Sequence, residues 1–232
     1  MNFFLLNSGK GNAAFNMALD EALLNAMPRL QTPVLRFYGW TEPAATFGYF
    51  QKFSEVERAT ALRPLIRRPT GGGIVPHNAD WTYAAIFPAG HVWYALKAEE
   101  SYRQIHDWLR LAFAEMKVNA ELAPCCRKIE NSNPTNPSAC FIGYEKSDLL
   151  WHGQKIAGAA QRRNKLGLLI QGSIQAPLLS LARSDFESAM SLVAEKQFGV
   201  SWQKYSPDLA LNQMTEQLFT ERFTQAAYNQ KR

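Results

Sequence analysis

The sequence predicts an α+β fold, because helix-period and strand-period segments interleave without the regular βαβ alternation of a doubly wound sheet. Size and composition agree: 232 residues, 47% of them hydrophobic, with six Trp, eight Tyr and fourteen Phe, bury a sizeable core and exclude a disordered chain. No apolar run nears the ~20 residues that span a bilayer, so no membrane association is expected.

The elements follow in order. Met1 to Asn7 has four consecutive apolar residues and no basic n-region, and reads as a first strand rather than a signal peptide. Asn12 to Met27 carries Phe15, Ala18, Leu19, Ala22, Leu23 and Met27 at helical spacing, with Asp20 and Glu21 off that stripe and Pro28 just beyond. Val34 to Tyr38 and Ala44 to Phe47 read as strands separated by a Gly39-to-Pro43 turn. Trp81 to Phe87 alternates as a strand with an aromatic-rich face. Glu99 to Met116 is a second helix, with Tyr102, Ile105, Leu109, Phe113 and Met116 on one side. Lys128 to Ser138, with three Asn and two Pro, is a loop and the only candidate seam. Asp148 to Trp151, a His152-Gly153 turn and Lys155 to Gln161 form a hairpin, and Leu166 to Ile174 continues the sheet. Helices near Leu178 to Leu192 and Asp208 to Tyr228 close the chain.

Cys125, Cys126 and Cys140 make neither a disulfide framework nor a zinc site, so a reducing cytoplasm and no metal are expected. The net charge of +5 is spread along the chain, which gives no support for a nucleic-acid partner.

Two glycine-bearing stretches carry the chemistry. In Arg67-Arg68-Pro69-Thr70-Gly71-Gly72-Gly73-Ile74-Val75-Pro76-His77, three glycines let ligand atoms approach backbone N–H groups. Arg67 and Arg68 can neutralise a carboxylate or phosphate, Thr70 adds a hydroxyl, and His77 can act as base or orienter. Neither the phosphate-loop nor the dinucleotide spacing is present. In Gly153-Gln154-Lys155-Ile156-Ala157-Gly158-Ala159-Ala160-Gln161-Arg162, the small residues around Gly158 leave room for a ligand beside Lys155. Each feature has an ordinary reading too: a glycine triplet suits a flexible turn, a hairpin lysine is usually solvated, and a free cysteine such as Cys140 is usually a small buried hydrophobe. His91, His106 and His152 lack ligand spacing and read as surface or core residues.

These stretches, with Asn16 to Ala22, Leu35 to Trp40, Gly48-Tyr49-Phe50-Gln51 and Gln171-Gly172-Ser173-Ile174, resemble the biotin/lipoate protein ligase superfamily in its lipoate-ligase and octanoyltransferase branch. The biotin branch's GRGRxGRxW-type signature is absent. The resemblance implies a mixed sheet flanked by helices, a tunnel for an eight-carbon acyl chain and one catalytic domain over residues 1–232 without an accessory C-terminal domain. It implies that Arg68, Thr70 and Gly71 to Gly73 line the acyl pocket and that Lys155 contacts the acyl carbonyl or an acyl-adenylate phosphate. The implied acceptor is a lysine of a lipoyl domain or of the glycine cleavage H protein.

Within the branch, Cys140-Phe141 lies fifteen residues before Lys155, as in the cysteine-dependent octanoyltransferases. The expectation is therefore a transferase that takes octanoyl from acyl carrier protein through a Cys140 thioester and needs no cofactor. The alternatives are a lipoate ligase using ATP and Mg, and a non-catalytic lipoyl-domain-binding subunit. Two positions depart from the transferase pattern: Gly73 stands where Arg is frequent, and Ala159 where Ser is.

Overall fold

The computed structural model describes residues 1–127, 143–175 and 181–231. Cys140, Phe141, the loop from Lys128 to Ser138 and the start of the helix expected at Leu178 lie outside the described residues.

The chain runs β1 (Asn2–Gly11), α1 (Ala13–Leu30), β2 (Val34–Trp40), β3 (Ala44–Phe47), α2 (Phe53–Ala59), β4 (Leu65–Arg67), β5 (Val75–His77) and β6 (Trp81–Pro88). It continues with α3 (Val92–Ala95), α4 (Ala98–Glu115), β7 (Glu121–Leu122), β8 (Leu149–Trp151), β9 (Gln154–Asn164) and β10 (Gly167–Ile174). The last elements are α5 (Arg183–Phe198), β11 (Ser201–Lys204), α6 (Leu209–Leu218), a π-helical turn (Phe219–Phe223) and α7 (Ala226–Asn229).

Among the described residues, eight strands form one sheet in the order β11-β1-β2-β6-β10-β9-β8-β7. β1 is parallel to β11 and β2, and the other neighbours are antiparallel, so the sheet is mixed as the resemblance implies. A second, three-stranded sheet has β3 between β4 and β5. The strands expected on either side of the Gly39-to-Pro43 turn thus enter different sheets.

Strand alternation sorts the core onto two faces. On one face Leu35, Phe37, Tyr83, Phe87 and Ile170 pack with Ile105, Trp108 and Phe113 of α4 and Phe186 and Met190 of α5. On the other, Val34, Tyr38, Ala84, Ile86 and Leu169 pack with α1, with Leu211 of α6 and with Phe223. Leu23 and Leu24 of α1 are fully buried there, each contributing about 2 kcal/mol.

Several expectations change. α1 continues through Pro28 to Leu30 and ends at Gln31, which is left-handed (φ 51°) and donates its N–H to the Met27 carbonyl. Asp20 and Glu21, off the apolar stripe, are nevertheless buried, because the sheet covers one side of α1 and the C-terminal segment another. The third helix of the sequence reading runs to Phe198, where Gly199 (φ 61°) stops it. The last one breaks into three pieces, with Thr224 N–H donating five residues back to Phe219. No helix of the described residues is long and apolar enough to cross a membrane.

A buried ion pair locks α1 to the sheet. The Arg36 guanidinium of β2 donates to Asp20 Oδ1 (2.6 Å), to the Asn16 carbonyl (3.0 Å) and to Asn16 Oδ1 (2.8 Å), with Arg36 and Asp20 side chains both fully buried. Asp20 Oδ2 accepts from the Tyr38 hydroxyl (2.9 Å) and Gln171 Nε2 (2.7 Å). Removing one partner of such a pair strands the other charge, so Arg36→Met should cost about 3–5 kcal/mol in urea unfolding. Arg36→Met combined with Asp20→Leu should recover much of that loss. A single-variant loss below about 1 kcal/mol would show the pair to be dispensable.

Candidate active site

The site lies where the small sheet and the glycine loop cover the second face of the large one. Strand register sets its floor: Tyr38 pairs with Thr82, Thr82 with Ser173 and Ser173 with Gly158, a row crossing β2, β6, β10 and β9. The next row is Arg36, Ala84, Gln171 and Ala160. A cavity of about 420 Å³ runs over these rows, with Gly72, Gly73, Ile74 and Val75 as its roof and Met17 of α1 as a wall. Tyr102, Lys155, Arg127, Gly143, Tyr144 and Glu145 line it toward β9, and Thr46 and His77 toward β2.

Close backbone approach shapes the roof. A Cβ on Gly48 would lie 1.9 Å from the Gly72 carbonyl oxygen, so only glycine allows the two loops to meet there. Of the triplet, Gly72 takes positive φ (86°), and a Cβ on it would meet the Arg68 guanidinium at 2.7 Å. Arg68 donates to the Gly71 carbonyl through Nε (3.0 Å) and to the Thr46 carbonyl through Nη1 (3.3 Å), which holds its plane along the loop.

Lys155 is held at the other side. The β8–β9 hairpin turns on His152 and Gly153, both at positive φ (49° and 72°), as a two-residue primed turn requires. Lys155 Nζ lies 2.7 Å from Asp148 Oδ2, and only 13% of its side chain is exposed. The side chain lies over Gly158, where a Cβ would come within 2.8 Å of Lys155 Cε and 2.9 Å of Nζ. Asp148 also accepts from the Tyr102 hydroxyl and from the Glu145 N–H (2.7 Å). Burial, then the Asp148 carboxylate, pushes the Tyr102 phenol far up, so it stays a donor.

One turn further along α4, His106 is fully buried and donates Nδ1–H to the Tyr102 carbonyl (2.9 Å). Its Nε2 lies 4.0 Å from Asp148 Oδ1. Burial lowers the imidazole to about 4, helped by Lys155 and opposed by the Tyr102 carbonyl and Asp148.

Of the residues singled out in the sequence, Arg68, Gly72, Gly73, His77, Lys155 and Gly158 line one cavity. Thr70 and Gly71 stand behind its lining: the Thr70 hydroxyl donates to Gln171 Oε1 (2.7 Å) and the Gly71 carbonyl accepts from Arg68. Arg67 is fully buried and binds the carbonyls of Tyr49 (2.8 Å), Gln51 (2.7 Å) and Asn229 (3.0 Å), so it ties the C-terminal segment to the loops. Cys140 lies outside the described residues, but Arg127 and Gly143, which flank 128–142, both line the cavity. The sequence reading missed the parts played by Asp148 and Tyr102 beside Lys155, while His106, read as a surface or core residue, is a core residue. Its available signal was a Tyr–His pair four residues apart on an apolar helix face, two polar groups that need buried partners.

Residues 12–206 match the model of the lipoyl protein ligase A/B catalytic domain. The octanoyltransferase LipM of Halalkalibacterium halodurans is 36% identical over 176 residues, covering 73% of this chain and 64% of that protein. LipM of Bacillus subtilis is likewise 36% identical over 176 residues, covering 73% and 63%. The chain thus spans less than two thirds of the length of these relatives. A candidate lipoate protein ligase of T. acidophilum superposes with a TM-score of 0.80 at 18% identity, covering 100% of both chains. A lipoate-protein ligase A bound with ATP gives 0.78 at 17%, covering 99% of each.

His106 yields a pH test. Its folded value lies below that of an unfolded histidine, so the unfolded chain binds the extra proton and stability falls as pH drops from about 6.5 toward about 4. Urea midpoints of the native chain and His106→Leu should diverge over this window by roughly 3 kcal/mol, the native chain losing more. Parallel curves would place a charged imidazole in the core.

Proposed function

This chain belongs to the lipoyl protein ligase A/B catalytic-domain family, and from that premise we propose that it is an octanoyltransferase acting on a lipoyl-domain lysine. The observation that carries the reading is the Lys155 ammonium, fixed by a buried carboxylate at one end of a cavity roofed by a glycine loop. A fatty acyl chain needs such apolar cover, and its carbonyl needs a donor at one end.

The Cys140 thiolate attacks the thioester carbonyl of octanoyl-acyl carrier protein, the C–S bond to the carrier breaks, and the carrier thiolate leaves and takes up a proton. Lys155 stabilises the negative charge that develops on the carbonyl oxygen. The neutral acceptor amine then attacks the enzyme thioester, forms the amide, and releases the Cys140 thiol. Thioester exchange is nearly isoenergetic and amide formation is downhill, so the sequence runs without ATP. The chain's entry to and exit from residues 128–142 at the cavity, through Arg127 and Gly143, supports Cys140 as the nucleophile. A second reading, an ATP-dependent lipoate ligase, is favoured by Gly73, where these transferases often have Arg. There a free carboxylate displaces pyrophosphate from ATP, and the amine then displaces AMP.

Mixing the protein with octanoyl-carrier protein without ATP should add one hydroxylamine-labile octanoyl mass, which Cys140→Ala removes. Replacing Cys125 and Cys126 should leave the adduct in place. A Cys140→Ala protein that still modifies a lipoyl domain, given ATP and lipoate, would make the chain a ligase. Lys155→Ala should lower transfer by about two orders of magnitude, roughly 3 kcal/mol. Gly158→Ala should follow it in direction, because the added methyl pushes Lys155 off Asp148 while leaving the backbone in place. Transfer by Lys155→Ala within a few-fold of the native chain would reduce the lysine to a structural role.

A further inference from the structure

We infer that Tyr102 is a positioning residue for transfer: by holding one oxygen of Asp148 it confines the Lys155 ammonium to the other, and so sets where that ammonium stands at the cavity; this rests on the acyl-transfer reading above. Asp148 is fully buried, and its two oxygens are divided between donors. Oδ1 accepts from the Tyr102 hydroxyl. Oδ2 lies 2.7 Å from Lys155 Nζ and accepts from the Glu145 N–H at 2.7 Å. Donors from α4, from the turn before β8 and from β9 thus converge on one carboxylate.

Both oxygens are within reach of the lysine. A Cβ on Gly158 would lie 2.9 Å from Lys155 Nζ and 3.3 Å from Asp148 Oδ1, so the two atoms stand over the same point of β9. An ammonium beside a carboxylate is drawn between its oxygens, where the Coulomb attraction is largest. The Tyr102 hydroxyl, already on Oδ1, opposes that movement and keeps Lys155 on Oδ2. Without it the ammonium slides toward the buried carboxylate and away from the carbonyl oxygen whose charge it stabilises.

The phenol is itself held in place. Ile105, Leu109 and Phe113 bury α4 on the sheet, where the helix packs against β9. His106, one turn beyond Tyr102, sets its ring against the phenol ring with centroids 4.3 Å apart. Its Nε2 is buried with no partner among the described residues and lies 4.0 Å from Asp148 Oδ1, too far to take the place of the hydroxyl. A phenol that had only to satisfy its own hydrogen bond could use any acceptor. Here the acceptor is the counter-ion of the lysine, at the oxygen the lysine does not take.

The test is a double-mutant cycle of Tyr102→Phe and Lys155→Ala on the full chain, read as transfer from octanoyl-carrier protein to a lipoyl domain. Tyr102→Phe should lower kcat about tenfold or more while KM for either partner stays within about threefold. On the Lys155→Ala background the same change should cost less than about twofold, since the group through which Tyr102 acts is gone. A second measurement needs no turnover: acetylation of Lys155 by an N-hydroxysuccinimide ester, followed by peptide mass analysis, should slow at least about threefold in Tyr102→Phe, because an amine held by both oxygens is a poorer nucleophile. Should Tyr102→Phe not fold, Asp148→Asn enters the same cycle, and losses that add to those of Lys155→Ala overturn the assignment. It is also overturned by a Tyr102→Phe kcat within about twofold of the native chain, by a loss kept in full on the Lys155→Ala background, or by unchanged labelling of Lys155. Slower labelling in a protein whose native form transfers no octanoyl leaves the positioning role standing and refutes the acyl-transfer reading instead.

Discussion

The placement of the site depends on the buried pair between Arg36 and Asp20. An ion pair out of water adds little net stability, since desolvation offsets most of the Coulomb attraction, yet it tolerates few geometries. Here it fixes α1 against β2, and Asp20 then orients Gln171 on β10. Gln171 in turn accepts from Thr70, the residue that leads into the glycine loop. A single chain of hydrogen bonds thus runs from the first helix through the sheet to the cavity roof. Arg67 extends this frame by holding Tyr49, Gln51 and Asn229 together behind the same loop. Thr70 and Arg67, within two residues of cavity residues in sequence, serve the roof from behind.

The second constraint is steric. Gly48 and Gly158 each create space that another residue occupies: the Gly72 carbonyl at one, the Lys155 side chain at the other. With Gly158 bare, a lysine on a two-residue hairpin folds back over its own strand to meet Asp148, whose carboxylate is fixed by Tyr102 and the Glu145 N–H. His106 beneath this cluster stays neutral because it is fully buried, so it brings no second cation close to Lys155. The cavity therefore has the Lys155–Asp148 pair on its β9 side and the hydrogen-bonded set of His77, Asp80 and Thr46 on its β2 side.

Much of this was legible in the chain. The α+β class followed from interleaved periodicities, and the helices α1 and α4 from their apolar stripes, because burial of one face writes itself into the sequence at 3.6-residue spacing. The hairpin at His152-Gly153 was legible because few residues accept positive φ in succession. Lys155, Gly158, Gly72 and His77 stood out by residue type and by family resemblance. Short elements such as β4, β5 and β11 were not legible, since three or four residues carry too little periodic signal. Asp20 and Glu21 looked solvent-facing for a related reason: α1 is covered on more than one side, and no local pattern announces a second covering layer.

What the sequence by itself determined, then, was the inventory: which segments are helix or strand, which glycines and which lysine carry chemistry, and the family to which they point. Tertiary structure decided the pairings. The Asp148 carboxylate faces Lys155 and Tyr102 only because β8, β9 and α4 converge, and Tyr102 stands 46 residues from Asp148 along the chain. The division of labour between Arg67 and Arg68 was likewise decided in three dimensions, since Arg67 at the end of β4 meets the C-terminal segment while Arg68 just beyond it meets the glycine loop. Local sequence fixes the direction of a side chain relative to its own backbone, but what it meets there is set by segments far away in the chain, and no local pattern encodes them.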